Sequence, residues 1–152
     1  MVMNSESLLV LCPRCGAKNR VPRERLAERA VCGKCRAALS LAAAFPSQVV
    51  EISDGSMKKE VLDFPGPVLL EFYAPWCGHC QRLSPVLDQL ATEYAGRVKL
   101  TKLNIDQNSL TASQHGIKGT PALFFYKQGK IVDRVMGSIP KTEIERHLSS
   151  LL

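Results

Sequence analysis

The sequence predicts an α/β fold, a central mixed β-sheet flanked by helices, with a small cysteine-rich module ahead of it. Three observations point there. From about residue 49 onward, apolar runs of strand length alternate with segments of helical period. One Cys-x-x-Cys pair, Cys77 and Cys80, falls where a strand pattern gives way to a helical one. Two more pairs, Cys12/Cys15 and Cys32/Cys35, are confined to the first 45 residues, where large apolar side chains are few.

A chain of 152 residues holds one ordinary domain and an appendage. Its apolar fraction of 45% and charged fraction of 22% are those of a folded globular protein, which excludes a disordered chain. The net charge of +6 is uneven. Residues 1–45 carry eight Lys/Arg against three Glu, and the remainder carries twelve against eleven, so two modules with different surfaces are expected. Near the N-terminus only Leu8 to Leu11 is continuously apolar, and Glu6 instead of a basic segment lies ahead of it. That is no signal peptide, and no later run has the length of a membrane span. Six cysteines in such a chain indicate metal binding or catalysis in the cytoplasm, not structural disulfides.

In the first module, residues 1–45, Cys12-Pro13-Arg14-Cys15-Gly16 and Cys32-Gly33-Lys34-Cys35 are separated by sixteen residues. Four soft ligands on two short knuckles suit a closed tetrahedral Zn²⁺ site, so a zinc ribbon holding one structural ion is expected. Two metal-free redox dithiols are the alternative. Gly16 and Gly33 are expected to relieve crowding where backbone N–H groups turn toward sulfur. With so little apolar material, metal binding would supply much of the folding energy. Four thiolates on one ion add about −2, partly balancing the local basicity. The basic residues between the knuckles invite a nucleic-acid reading, but no aromatic interleaves them and Glu24 and Glu28 interrupt them, which favours a solvated face. A short helical turn is expected after Pro22. A last ribbon strand starts near Ala37, and an alanine-rich stretch leads to a linker at 46–48.

The second module, residues 49–152, is expected to open with a strand at 49–52 and a short helix at 57–62. Pro65-Gly66-Pro67 turns the chain into the strand 68–73, whose near-continuous apolar character indicates cover on both faces. A long helix follows over 78–94, with Leu83, Leu87, Leu90 and Tyr94 at helical spacing and Pro85 expected to kink it. A strand over 98–105 and a helix over 109–115 come next. The strands 122–126 and 131–136 form a hairpin through Gln128-Gly129-Lys130, and a helix over 142–151 closes the chain. His115 and His147 fall on helices and read as surface residues.

Cys77 stands at the predicted start of the long helix. Unpaired N–H groups and the positive end of the helix dipole favour an anion there, so its thiol loses a proton more readily. Cys80, one turn on, lies on nearly the same face and can close a ring by attacking a mixed disulfide. A pair of buried cysteines or half a metal site is the bland alternative.

The stretch Trp76-Cys77-Gly78-His79-Cys80 resembles the active site of the thioredoxin superfamily. So do Lys102-Leu103-Asn104-Ile105-Asp106, Gly119-Thr120-Pro121 and Gly137, at matching spacing across the second module. With the ribbon, the chain resembles the bacterial zinc-bearing thioredoxins. The resemblance implies the thioredoxin fold, Cys77 as attacking thiolate and Cys80 as resolving thiol. It puts Glu71 where the family usually has a buried Asp, able to take the Cys80 proton, with Lys102 as the neighbouring lysine. Pro121 would be a cis proline that holds the Thr120 backbone for an extended substrate. Trp76 would form part of the docking surface, along with Gly78, His79 and Gly137; plain packing is the alternative for Trp76.

His79 departs from ordinary thioredoxins, which have Pro there, and gives the Cys-Gly-His-Cys of protein disulfide isomerases. An imidazole that stabilises the thiolate raises the reduction potential. The resemblance implies a cytoplasmic protein-disulfide reductase, monomeric, with disulfide-bearing proteins as substrates and no organic cofactor. An NADPH-dependent thioredoxin reductase would recharge it, and neither nucleic acid nor membrane is an expected partner. A disulfide isomerase or oxidant using the same dithiol, or a redox-sensing interaction module built on the ribbon, are the competing readings.

Overall fold

The structure is a computed structural model that describes residues 7–12, 14–22, 30–39 and 45–152. The helical turn expected after Pro22 and most of the alanine-rich stretch lie outside the described residues. In the first module, β1 (Ser7–Leu11) pairs antiparallel with β2 (Lys18–Pro22). Of the expected last ribbon strand, the described residues show a single antiparallel bridge, between Val31 and Ala38.

The second module is a five-stranded mixed sheet in the order β3-β5-β4-β6-β7. Its strands are β3 (Val50–Ile52), β4 (Val68–Tyr73), β5 (Lys99–Asn104), β6 (Ala122–Lys127) and β7 (Lys130–Met136). The first three are parallel to one another, and β6 runs antiparallel to both β4 and β7. Helices α1 (Gly78–Glu93), α2 (Ser109–Gln114) and α3 (Lys141–Ser149) complete it. Pro85 lies inside α1 and has no N–H to donate to the Gln81 carbonyl.

The central strand β4 is buried at five of six positions, as its apolar run requires. Alternation then sends its residues to two cores. Leu69 meets Leu83, Leu87 and Leu90 of α1 and Ile144 and Leu148 of α3. Val68, Leu70 and Phe72 face Leu103, Phe124 and Tyr126 on the opposite side. Each fully buried aliphatic or aromatic side chain contributes about 1.5–3 kcal/mol.

Local chemistry changes several expected elements. The helix at 57–62 becomes a π-helical turn over Lys58–Leu62, closed by the Asp63 N–H on the Lys58 carbonyl at 2.7 Å. Lys99, buried at the start of β5, holds that turn through Glu60: its ammonium donates to the Glu60 carbonyl at 2.9 Å and pairs with the Glu60 carboxylate. The β6–β7 hairpin turns on two residues, not three, because Gln128 and Gly129 both take positive φ (56° and 76°) and Lys127 pairs with Lys130. A Cβ on Gly129 would lie 2.1 Å from the Leu62 carbonyl oxygen, so this turn needs glycine for space as well as for φ. One extra residue, Val132, bulges from β7 between the Phe125–Asp133 and Tyr126–Ile131 pairs.

The two helix histidines are half-buried, unlike the expected surface positions. His115 bridges the Thr111 carbonyl and the Tyr126 hydroxyl, and His147 pairs with Asp133 while stacking on Phe125. Among the described residues no helix is long and apolar enough to cross a membrane.

Phe45 completes the larger module from outside the expected 49–152 span. Its ring is 1% exposed and meets Phe64 edge-on, with centroids 5.2 Å apart. Its carbonyl accepts the Gly96 N–H at 3.1 Å. Gly66 makes room for it, since a Cβ there would sit 2.5 Å from the Phe45 ring. Val10 and Val21 of the ribbon hairpin belong to the same buried cluster.

Candidate active site and metal centre

Strand β4 delivers the chain to Ala74-Pro75-Trp76, and α1 begins directly after Cys77. Cys77 is the N-cap of α1, with extended backbone, and its sulfur accepts the Cys80 N–H at 3.1 Å. The side chain thus satisfies one of the helix's unpaired donors, the role usually taken by a Ser or Asp oxygen. The same N–H and the helix dipole stabilise a thiolate at that sulfur once the pair is reduced. Cys77 and Cys80 are joined as a disulfide, with Cα atoms 5.2 Å apart and residue exposures of 6% and 5%.

Thr120-Pro121 is a cis peptide just ahead of Ala122, the register partner of Phe72 on β4, and the Pro121 carbonyl accepts the Gly137 N–H at 2.8 Å, tying the β6 entry to the end of β7. The Thr120 hydroxyl is buried without a hydrogen-bond partner. Trp76 is 69% exposed, its indole N–H donating to Asp106 Oδ2 at 3.0 Å, so its ring is a surface feature and not core packing. His79 is exposed, with Nδ1 3.0 Å from an Arg82 guanidinium nitrogen. Arg has no acceptor, so in this contact Nδ1 faces an Arg82 N–H as the acceptor. Gly78 precedes His79 at the first position of α1.

Behind the disulfide, a cavity of about 140 Å³ is lined by Cys80, Glu71, Tyr73, Ser84, Lys102 and neighbours. Glu71 is 3% exposed, and its Oε2 has no hydrogen-bond partner. Burial pushes its carboxyl up to about 7, against the pull of Lys102 and with help from Glu51 and Asp88. Glu71 and Lys102 are register partners on adjacent strands. The Lys102 ammonium, however, is directed to Glu51 Oε1 at 3.9 Å and lies 5.4 Å from the Tyr73 ring centre. Sequence reasoning did not bring in Glu51, Tyr73 or Arg82. Glu51 sits on an edge strand distant in sequence, and only the β3-β5-β4 strand order reveals its place beside Lys102.

The second cysteine group is built by two knuckles of one shape. Cys12 N–H donates to the Ala17 carbonyl and Gly16 N–H to the Cys12 carbonyl; Cys32/Ala37 and Arg36/Cys32 repeat both bonds at 2.8–2.9 Å. Gly16 and Arg36 therefore hold equivalent positions, and both take positive φ, 77° and 66°. The expected role of Gly33 falls to Arg36 instead, and the Gly33 N–H binds Asn19 Oδ1 at 2.9 Å. All four sulfurs lie within 4.8 Å of one another.

Backbone N–H groups aim at three of these sulfurs. Those of Cys15 and Arg14 donate to Cys12 Sγ, each at 3.4 Å, and that of Lys34 to Cys32 Sγ at 3.3 Å. The Cys15 N–H leads in holding the Cys12 thiol below its ordinary range, and donation from Cys35 and Lys34 brings Cys32 down to about 6. Although the Ala37 N–H favours its thiolate, Cys35 is pushed up to about 11 by burial and by the other three sulfurs. Four sulfurs this close shed their last protons only with a cation among them. Soft donors in a closed group of four fit Zn²⁺.

A dithiol capping a helix, on a sheet of this order whose β6 is entered through a cis proline, defines a thiol–disulfide oxidoreductase. Comparison with known proteins agrees. A family model described as thioredoxin matches residues 48–150, and one described as thioredoxin 2, N-terminal, a zinc ribbon, matches residues 11–37. The chain belongs to the thioredoxin family. It is 46% identical over 106 residues to a thioredoxin of Synechocystis, covering 70% of this chain and 99% of that one. A thioredoxin 1 of Nostoc is 43% identical over 106 residues, with the same coverages. The chloroplastic thioredoxin M4 of Arabidopsis thaliana is 35% identical over 149 residues, 98% of this chain and 74% of its own.

Proposed function

We propose that this chain is a cytoplasmic protein-disulfide reductase whose zinc ribbon, residues 1–45, joins through 46–48 to an oxidoreductase domain, residues 49–152. The observation that carries the reading is Cys77 as helix N-cap, its sulfur facing the Cys80 N–H, with Glu71 and Cys80 on one cavity. The reduced Cys77 thiolate attacks one sulfur of a substrate disulfide and releases the other as a thiolate, which takes a proton from solvent. Cys80 then gives its proton to Glu71 through the cavity and attacks Cys77, which restores the intramolecular disulfide and releases the second substrate sulfur as a thiolate, which also takes a proton from solvent. Two electrons and two protons pass to substrate, and Glu71 returns its proton to water. Lys102 biases Glu71 by charge.

An extended substrate pairs with the Thr120 backbone beside Pro121 and rests against Trp76, Gly78, His79 and Gly137. An NADPH-dependent thioredoxin reductase recharges the disulfide, as thioredoxins generally receive their electrons. Cys12, Cys15, Cys32 and Cys35 hold one Zn²⁺, which supplies folding energy and no redox chemistry of its own. The exposed His79 favours a second reading, a disulfide isomerase or oxidant. Thioredoxins poise near about −270 mV and disulfide isomerases near about −180 mV, a gap that one ion–thiolate contact partly spans, since 30 mV is about 1.4 kcal/mol.

Coupled NADPH consumption during insulin disulfide reduction, with a thioredoxin reductase from the same source, tests the first reading. Turnover supports it. Refolding of scrambled disulfides without such turnover supports the second.

A further inference from the structure

Three charged side chains lie in one row across the sheet. Glu51 on β3 is the register partner of Lys102 on β5, which is the register partner of Glu71 on β4. One ammonium thus stands between two carboxylates, and the surroundings decide which holds it. Glu51 is exposed and further anchored by Tyr73, whose hydroxyl donates to Glu51 Oε2 at 2.6 Å. Burial and this bond keep the Tyr73 phenol protonated. Lys102 approaches Glu51 Oε1 to 3.9 Å, whereas Glu71 Oε2 is left with no partner. A lysine choosing between a solvated carboxylate and a buried one avoids desolvation by turning outward.

We propose that Glu51 is a positioning residue of the dithiol reaction: fixed by Tyr73, it draws the Lys102 ammonium toward β3 and so leaves Glu71 unpaired as a proton site on the Cys80 cavity. The inference rests on the reading of Glu71 as the acceptor of the Cys80 proton. Without Glu51, Lys102 swings to its other register partner, and an ion-paired Glu71 gives up its proton at lower pH. The groups bearing on Glu71 are Lys102 from β5, Glu51 from β3, Tyr73 from β4, and Asp88 and Cys80 from α1. On β6 its register partner is the apolar Leu123. Asp88 stays in place in every variant of the test, so its contribution cancels.

The test is titration of the Glu71 carboxyl by carbon NMR in the reduced full-length protein, together with the pH profile of insulin disulfide reduction. Glu51→Gln is expected to lower the Glu71 midpoint and the acid limb of the profile together by about one pH unit, the scale of one opposite charge moved into contact. In a Lys102→Met background, the same substitution should shift the midpoint by less than half as much. Tyr73→Phe should move it in the same direction as Glu51→Gln, by less. An equal shift with and without Lys102 would mean that Glu51 acts only as a distant charge, and an unmoved midpoint would remove its role altogether; either overturns the inference. Glu71→Gln separates the two levels. If it leaves the acid limb in place, the reading of Glu71 as proton acceptor fails; if it abolishes the limb while Glu51→Gln does not move it, the inference about Glu51 alone fails.

Discussion

The ribbon knuckles and the helix start use one local device for different ends. In both, a cysteine sulfur accepts the N–H of the cysteine three residues on: Cys15 to Cys12 at 3.4 Å, and Cys80 to Cys77 at 3.1 Å. The path of the chain beyond the second cysteine sets the chemistry. After Cys15 and Cys35, a residue at positive φ turns the chain back into a hairpin and brings the second pair of sulfurs close. After Cys80 the backbone continues as helix for thirteen more residues to Glu93, so no further sulfur arrives. A pair left at two sulfurs, at the positive end of a helix, is suited to exchange; a pair joined by another is suited to hold an ion.

The largest expected effect is a double dissociation between these regions. Cys77→Ser should abolish insulin reduction while metal analysis still finds the parent zinc content, and Cys80→Ser should accumulate mixed disulfides. Cys12→Ser or Cys32→Ser should lose the metal, whose binding in zinc peptides is worth about 10–16 kcal/mol, and keep dithiol turnover. Zinc that survives loss of all four ribbon cysteines would break the comparison.

Glu71 comes next. Its folded carboxyl is raised to about 7 by burial, whereas unfolded it titrates near the usual value of about 4.3. The folded state therefore binds the extra proton, and its stability falls as pH rises from about 4.3 through about 7, by on the order of 3 kcal/mol. Urea midpoints of the reduced protein should follow that slope. Glu71→Gln should flatten it and be the more stable protein at pH 8, as no ribbon substitution would be.

A smaller effect is expected at His79. Its replacement by Pro should lower the dithiol potential by roughly 20–60 mV in glutathione equilibration, with zinc affinity unchanged. A potential that holds or rises would mean that the imidazole, held through Nδ1 by Arg82, does not set the redox poise.

Smallest is Arg36→Gly. An L-residue in the left-handed region costs about 1–2 kcal/mol that glycine avoids, so competition with a chelator should show zinc held several-fold tighter. Gly33→Ala should change little, because its backbone is not at positive φ and a Cβ there would only reach Asn19 Oδ1, at 3.8 Å.

The period of apolar residues made the strands and helices of the larger module legible, because β4 and α1 announce their buried faces directly. The paired knuckles and the helix-start dithiol were legible from cysteine spacing. Features set by contacts across the fold were not. Glu51 looks like an ordinary edge-strand acid until strand order places it beside Lys102. Arg36 shows no preference for positive φ, and only the shape shared with the Cys12 knuckle assigns it one. His115 reads as a surface helix residue, yet Tyr126 from β6 reaches it from below.

Phe45 bears on how the chain can be divided. Its seat beside Gly66 lies just ahead of β4, and the dithiol lies just beyond that strand's far end. Six residues at about 3.3 Å each put the two roughly 20 Å apart. Phe45 is thus moored at the end of β4 away from Cys77. The mooring is also part of the hull: a domain cut at Ser47 keeps every residue of the dithiol site yet has a phenylalanine-shaped hole against Phe64, a defect of about 3–5 kcal/mol when such a side chain is lost from a core.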